Sequence, residues 1–346
     1  MRTTNELAIV PQIGIIAGMG VINTEFIEDA VIVSEKELKE EHPNFIESNT
    51  SGITLEELEK NCIVPSFGDN QLTISHQTFI HCIEEAAGIH FMGENFGETE
   101  IRVSHKILGR VPSALQKKKE ELKPEDETIY YQRMAFCFHI RSMSRVMNGE
   151  EVHLCIGGVR SLNEENLYAR KSPEKFKIFI GWRVRVCSNL MLTNDGLTGR
   201  LEVMSDADIY GSALRLFQDF NPEQNLRLLE NLGRTMISQE QFCQIIGRLR
   251  LYQALPASQL KELPKVILGD SNVNAATKGY IENPNFGLRG RANISCWDLM
   301  QLLNEASKQS YIDRFLERNQ NATDFAVGIQ KALNGEDSEN YRWFLS

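Results

Sequence analysis

Two short patterns near the middle of the chain have the residue types of a zinc site: Cys137-x-His139 and His153-x-Cys155. Thiolates and imidazoles hold zinc only when all of them lie within about 2.3 Å of one point. Between the two patterns sits Asn148–Gly149, a strong hairpin signal flanked by alternating apolar residues. A three-residue loop over 148–150 would set His139 opposite Val159 and His153 opposite Arg145. The two ligand pairs would then stand about 17–20 Å apart at ~3.3 Å per residue. On that register no metal is expected.

Other reactive residues stand in weaker settings. Cys187-Ser188 ends an apolar strand; a strand-end thiol among cations would have a lowered pKa if exposed, and would act as a nucleophile with a base nearby. No recognisable Cys/His or GxSxG signature surrounds it. A hydrolase or transferase built on Cys187 is therefore an alternative, and no catalytic residue is assigned. "GIIAGMG", Gly14 to Gly20, has the glycine spacing of some dinucleotide turns, but Pro11 interrupts the run before it and no βαβ unit follows. No cofactor is implied. His76 and His81 are five apart at the start of a helix, which does not put them on one face. Arg248 and Arg250 lie in a helical stretch that lacks the turn and second helix of a DNA reader.

The strongest physical pattern is a set of cations. "FKIFIGWRV" alternates Phe176, Ile178, Ile180, Trp182 and Val184 with Lys177, Phe179, Arg183 and Arg185 beyond it. A strand places these two sets on opposite faces. The neighbouring predicted strands offer Arg102 and Lys106, then Arg133, His139, Arg141 and Arg145, then His153; Glu100 is the one acid on these faces. Such a face repels itself unless something negative answers it. A nucleic-acid backbone would, through Arg133, Arg141, Arg145, Arg183 and Arg185, with Phe179 stacking a base. So would an acidic N-terminal arm, or acidic helices from the C-terminal half. Solvated arginines on an ordinary outer face are the plain alternative.

The elements that carry these residues follow from pattern. Residues 1–65 are rich in Glu, Asn and Thr, with 4 basic and 12 acidic side chains, and are expected to form an extended, partly disordered arm. Residues 66–205 read as a helix from Ser75 to Gly88 followed by alternating strands, an antiparallel sheet with one basic face. From 206 to 346 the period is helical, and Ser238 with Gln241 forms a capping box. Strands first and helices later predict an α+β fold, the helices completing the sheet's core.

Composition bounds the rest. The 346 residues are 42% hydrophobic and carry a net charge of −10. The longest apolar run, 13–22, holds three glycines and no basic leader, so neither a membrane span nor export is expected. Seven scattered cysteines without a CxxC pair fit a reducing cytoplasm.

Several phrases, "RVSHKILGRVP", "IYYQRMAF", "GGVRSLNEENLYARK", "FKIFIGWRVRVCSNL" and "YIDRFLERNQNA", together resemble a bacterial family designated a domain of unknown function, serial 3871. The resemblance runs from about residue 45 to the end. "RVRVCSNLM" and "SCWDLMQLLNEAS" are more loosely similar to a group of phage- and plasmid-like proteins. The resemblance implies a setting, bacterial cytoplasm near mobile DNA, and no catalytic residues. The expectation is a non-catalytic accessory protein binding DNA or RNA through the basic face, or an adaptor or inhibitor with an acidic protein partner.

Overall fold

The computed structural model describes residues 43–64, 73–114, 116–165, 173–337 and 339–346. Residues 44–346 form one compact unit. The glycine run at 14–20 and the first part of the acidic arm lie outside the described residues. The arm expected over 1–65 gives way from residue 44: Phe45 and Ile46 are fully buried. After them come strand β1 (Ser51–Ile53) and helix α1 (Leu55–Asn61), which Thr54 and Glu57 close with a capping box.

The chain continues through α2 (His76–His90), β2 (Glu100–Val103), β3 (Lys106–Arg110), β4 (Glu127–Tyr131), β5 (Arg133–Met147), β6 (Glu150–Ser161), β7 (Glu174–Val184), β8 (Leu190–Met191) and β9 (Leu201–Val203). The helical half then holds α3 (Asp206–Asp219), α4 (Pro222–Leu232), β10 (Met236–Ser238), α5 (Gln239–Tyr252), α6 (Ala257–Leu260) and α7 (Asp270–Glu282). It ends with β11 (Asn293–Ser295), α8 (Cys296–Ser307) and α9 (Ile312–Leu333). The fold is α+β.

A curled antiparallel sheet of seven strands runs β1-β2-β5-β6-β7-β8, with β9 also paired to β7. The run read from sequence as one strand, 100–109, breaks at Ser104. Its second half, β3, pairs with β4 in a separate two-stranded sheet, so Lys106 does not share a sheet with Arg102. At the break Ser104 bonds Arg133 twice, through its backbone N–H and its hydroxyl.

Alternation on β7 is kept along its length. Phe176, Ile178, Ile180, Trp182 and Val184 enter a core that includes residues from Leu58 to Phe344. Helices α2 and α3 pack on this side. Two consecutive glycines in β6 let rings approach from both faces: a Cβ at Gly158 would strike Phe79 and Phe136, and one at Gly157 would strike Phe179 and the Phe136 carbonyl. In the helical half β10 and β11 pair antiparallel, with Ile237 opposite Ile294. Each leads into a serine-capped helix, and Ser238 and Gln241 form the capping box read from sequence. Arg248 donates to the Ser346 carbonyl and lies over Trp343, so its charge is used within the chain.

Candidate functional site

The opposite side of the sheet is where the sequence placed a cationic face, either open or answered from within the chain. It is covered. A second core of buried residues fills its centre, joining Ala135, Cys137, Cys155, Val159 and Phe179 from the sheet to Phe45, Ile46, Ile312, Phe315 and Leu316. Phe179 is 0% exposed, so the base-stacking role read from its alternation is not open to it in this arrangement. The apolar residues of this face look ordinary in sequence; their number fits a buried surface better than a solvated one.

The cations around that centre are answered by carboxylates. Asp313 and Glu317 stand four apart on α9, on the same side as Ile312 and Leu316. Arg133 Nε lies 3.2 Å from Asp313, and its guanidinium is 5.6 Å from the Tyr311 ring centre. Lys177, buried, reaches Glu317 at 2.7 Å, Glu164 at 3.3 Å and the Asp313 carbonyl at 2.8 Å. Arg183 donates to Glu100 at 2.9 Å and to the Ser188 hydroxyl at 2.8 Å, over the Phe45 ring. Arg185 pairs with Glu151 at 2.9 Å, and that hydrogen bond holds the Glu151 carboxyl below its usual range. Arg102 is tied to Thr50 and Asn44. The i,i+4 acids in "YIDRFLE" were the available signal for this match.

Arg141 and Arg145 fall elsewhere because the hairpin register differs from the expected one. The turn has two residues, with Met147 opposite Glu150, and a bulge interrupts the pairing between His139 and Ser144. The extra residues shift the parity of β5, so beyond the bulge Arg145 pairs with Val152 on the side of the main core. Both Arg141 and Arg145 are exposed. The bulge also overturns the expected separation of the histidines. His139 is opposite Cys155, His153 is opposite Ser144, and the two rings are 5.4 Å apart. Among the described residues no group of three or more His, Cys, Asp and Glu side chains is arranged to hold a metal.

Cys187 is buried, and burial pushes its thiol up to about 11, against the partial relief of Lys308 nearby. Lys308 donates to the Cys187 carbonyl. An activated thiolate needs the opposite shift, and the exposure on which a lowered pKa at Cys187 depended is not met. The bulkiest charged group in the interior was not singled out by sequence: Arg160, 0% exposed, bonds Glu165, Glu174 and the Ile74 carbonyl and sits over Phe176.

A cleft of about 700 Å³ opens along α9 on the side of the C-terminal segment. Its walls are α9, the stretch Pro264–Ile267, the turn Thr193–Asp195 and the chain around Asp337–Tyr341. Gly328 lets Tyr341 lie directly on the helix, since a Cβ there would meet the phenol ring. Asp337 fixes the segment by accepting the backbone N–H groups of Glu339, Tyr341 and Arg342. Burial, then Glu339, pushes the Asp324 carboxyl up to about 6. Nothing in the sequence singles out Asp324.

No curated protein and no solved structure matches the chain. Residues 26–345 match the sequence profile of the family described as "Domain of unknown function, B. Theta Gene description (DUF3871)". That match begins ahead of the point near residue 45 where the resemblance was read, and it spans nearly the whole chain. The chain belongs to the DUF3871 family.

Proposed function

We propose that the protein is a non-catalytic accessory protein of a bacterial mobile element, acting in the cytoplasm and holding nucleic acid electrostatically at the hairpin end of its sheet. The observation behind this reading is that Arg141 and Arg145 stay exposed on the outer part of β5, while Arg133, Lys177 and Arg183 are matched inside the fold. Two phosphate contacts give a shallow salt dependence, a log–log slope of about −1.8. With Phe179 buried, stacking adds nothing, so the grip is expected to be weak and indifferent to base sequence.

The test is fluorescence anisotropy with labelled single- and double-stranded oligonucleotides over a range of salt. The double variant Arg141→Glu, Arg145→Glu should lose binding, with its melting temperature unchanged because both side chains are exposed. Unaltered binding in that variant sinks the assignment, as does silence of the wild type at low salt. A second reading, an acidic protein partner, is favoured by Val146, which is 79% exposed beside Arg145. An exposed apolar side chain at the hairpin end suits a protein partner better than a phosphodiester. Val146→Ser would weaken such a partner and leave oligonucleotide binding as it was.

A further inference from the structure

The cleft along α9 holds charges that the fold does not match. Among the described residues the Asp324 side chain makes no hydrogen bond or ion pair, although it is partly buried. Glu339 projects its charge at the same site, close enough to raise Asp324 further. The other charged groups around the cleft are accounted for separately. Glu317 is taken by Lys177 on the sheet side, Asp195 by Thr193 and Asn225, and Asp337 by the backbone of its own segment. Lys265 and Lys331 line the cavity without pairing to either free carboxylate. Lys331 stands two helical turns from Asp324, about 10 Å at 1.5 Å per residue.

Between these charges the wall is apolar, made by Val327 and Ile267, with the buried Tyr341 ring packed on Gly328. Desolvating an unpaired carboxylate costs free energy that a cation arriving from solvent would recover. Methylenes of a ligand gain by burial against such a wall. A cavity of this size suits a small molecule. We propose that this cleft is a binding site for an aliphatic amine, its ammonium group held by Asp324 and Glu339 and its chain along Val327 and Ile267. A carboxylate at the far end of the ligand would meet Lys331. This site is separate from the exposed arginines of β5 and does not depend on them.

Three probes of similar length separate the contributions by isothermal titration of the full chain. These are n-pentylamine, with an ammonium only; 6-aminohexanoate, with ammonium and carboxylate; and hexanoate, with a carboxylate only. The amine and the amino acid are expected to bind and hexanoate to fail, with 6-aminohexanoate the tighter of the two. Ligation requires the ionised carboxylate, so affinity should fall about tenfold from pH 8 to pH 5, following the Asp324 acid near 6. Asp324→Asn should abolish binding. Glu339→Gln, an exposed change that leaves the fold alone, should weaken binding severalfold and keep a pH dependence, displaced to lower pH because the Glu339 charge no longer raises Asp324. Equal binding of hexanoate, no binding by either amine, or full amine affinity in both variants would overturn the proposal.

Discussion

His76 opens α2 with its ring completely buried. Its Nε2 lies 3.1 Å from the Tyr131 carbonyl, to which a neutral imidazole donates, and among the described residues its Nδ1 has no partner. Burial, and then the nearby Arg160 guanidinium, push the imidazole from 6.5 down to about 3. The folded value lies below the unfolded one, so the unfolded chain takes up the proton first. Stability is therefore full above pH 6.5 and is lost as the pH falls toward 3. At about 1.4 kcal/mol per pH unit the full loss is about 5 kcal/mol, comparable with the whole net stability of a typical domain. The assay is urea unfolding of the wild type and of His76→Gln, which keeps a donor for the Tyr131 carbonyl, at steps from pH 7.5 to 4. The wild type should lose about 1.4 kcal/mol per unit more than the variant below pH 6.5. Asp324, raised to about 6, works in the other sense: its ionised form is disfavoured, so acid relieves it. That relief is common to both proteins and cancels in the comparison. Parallel slopes between pH 6.5 and 4 would refute the account of His76.

The other expectations concern the covered sheet face and the glycines of β6. Asp313→Asn with Glu317→Gln strips the carboxylates that answer Arg133 and Lys177. It should cost about 3 kcal/mol in urea unfolding, because Lys177 is left buried with Glu164 as its one carboxylate beside the Asp313 carbonyl; a loss below about 0.5 kcal/mol would mean these pairs are inconsequential, as exposed pairs usually are. Gly157→Ala should lower stability by about 1–3 kcal/mol or more, since the new methyl meets a backbone carbonyl as well as Phe179; an unchanged melting temperature would show that β6 yields there.

Local chemistry was legible before any coordinates. The capping box at Ser238 and Gln241, the Asn148–Gly149 turn, the alternation of β7 and the switch from strand to helix periodicity all rest on contacts within a few residues. Such contacts are written in the residues themselves, and they sufficed for the α+β class. The strand register near His139 was not legible, because a bulge shifts pairing without any single marker residue, and it carried Arg145 to the other face and His153 to within 5.4 Å of His139. Nor was the fate of the cationic face. The sequence determined that Arg133, Lys177 and Arg183 share one side of a sheet. Only the tertiary structure decided that α9 and Phe45 lie over it, matching charge with Asp313 and Glu317 and burying Phe179. The partners are separated by more than a hundred residues, and period-2 alternation specifies which side a residue faces but carries no information about what covers it.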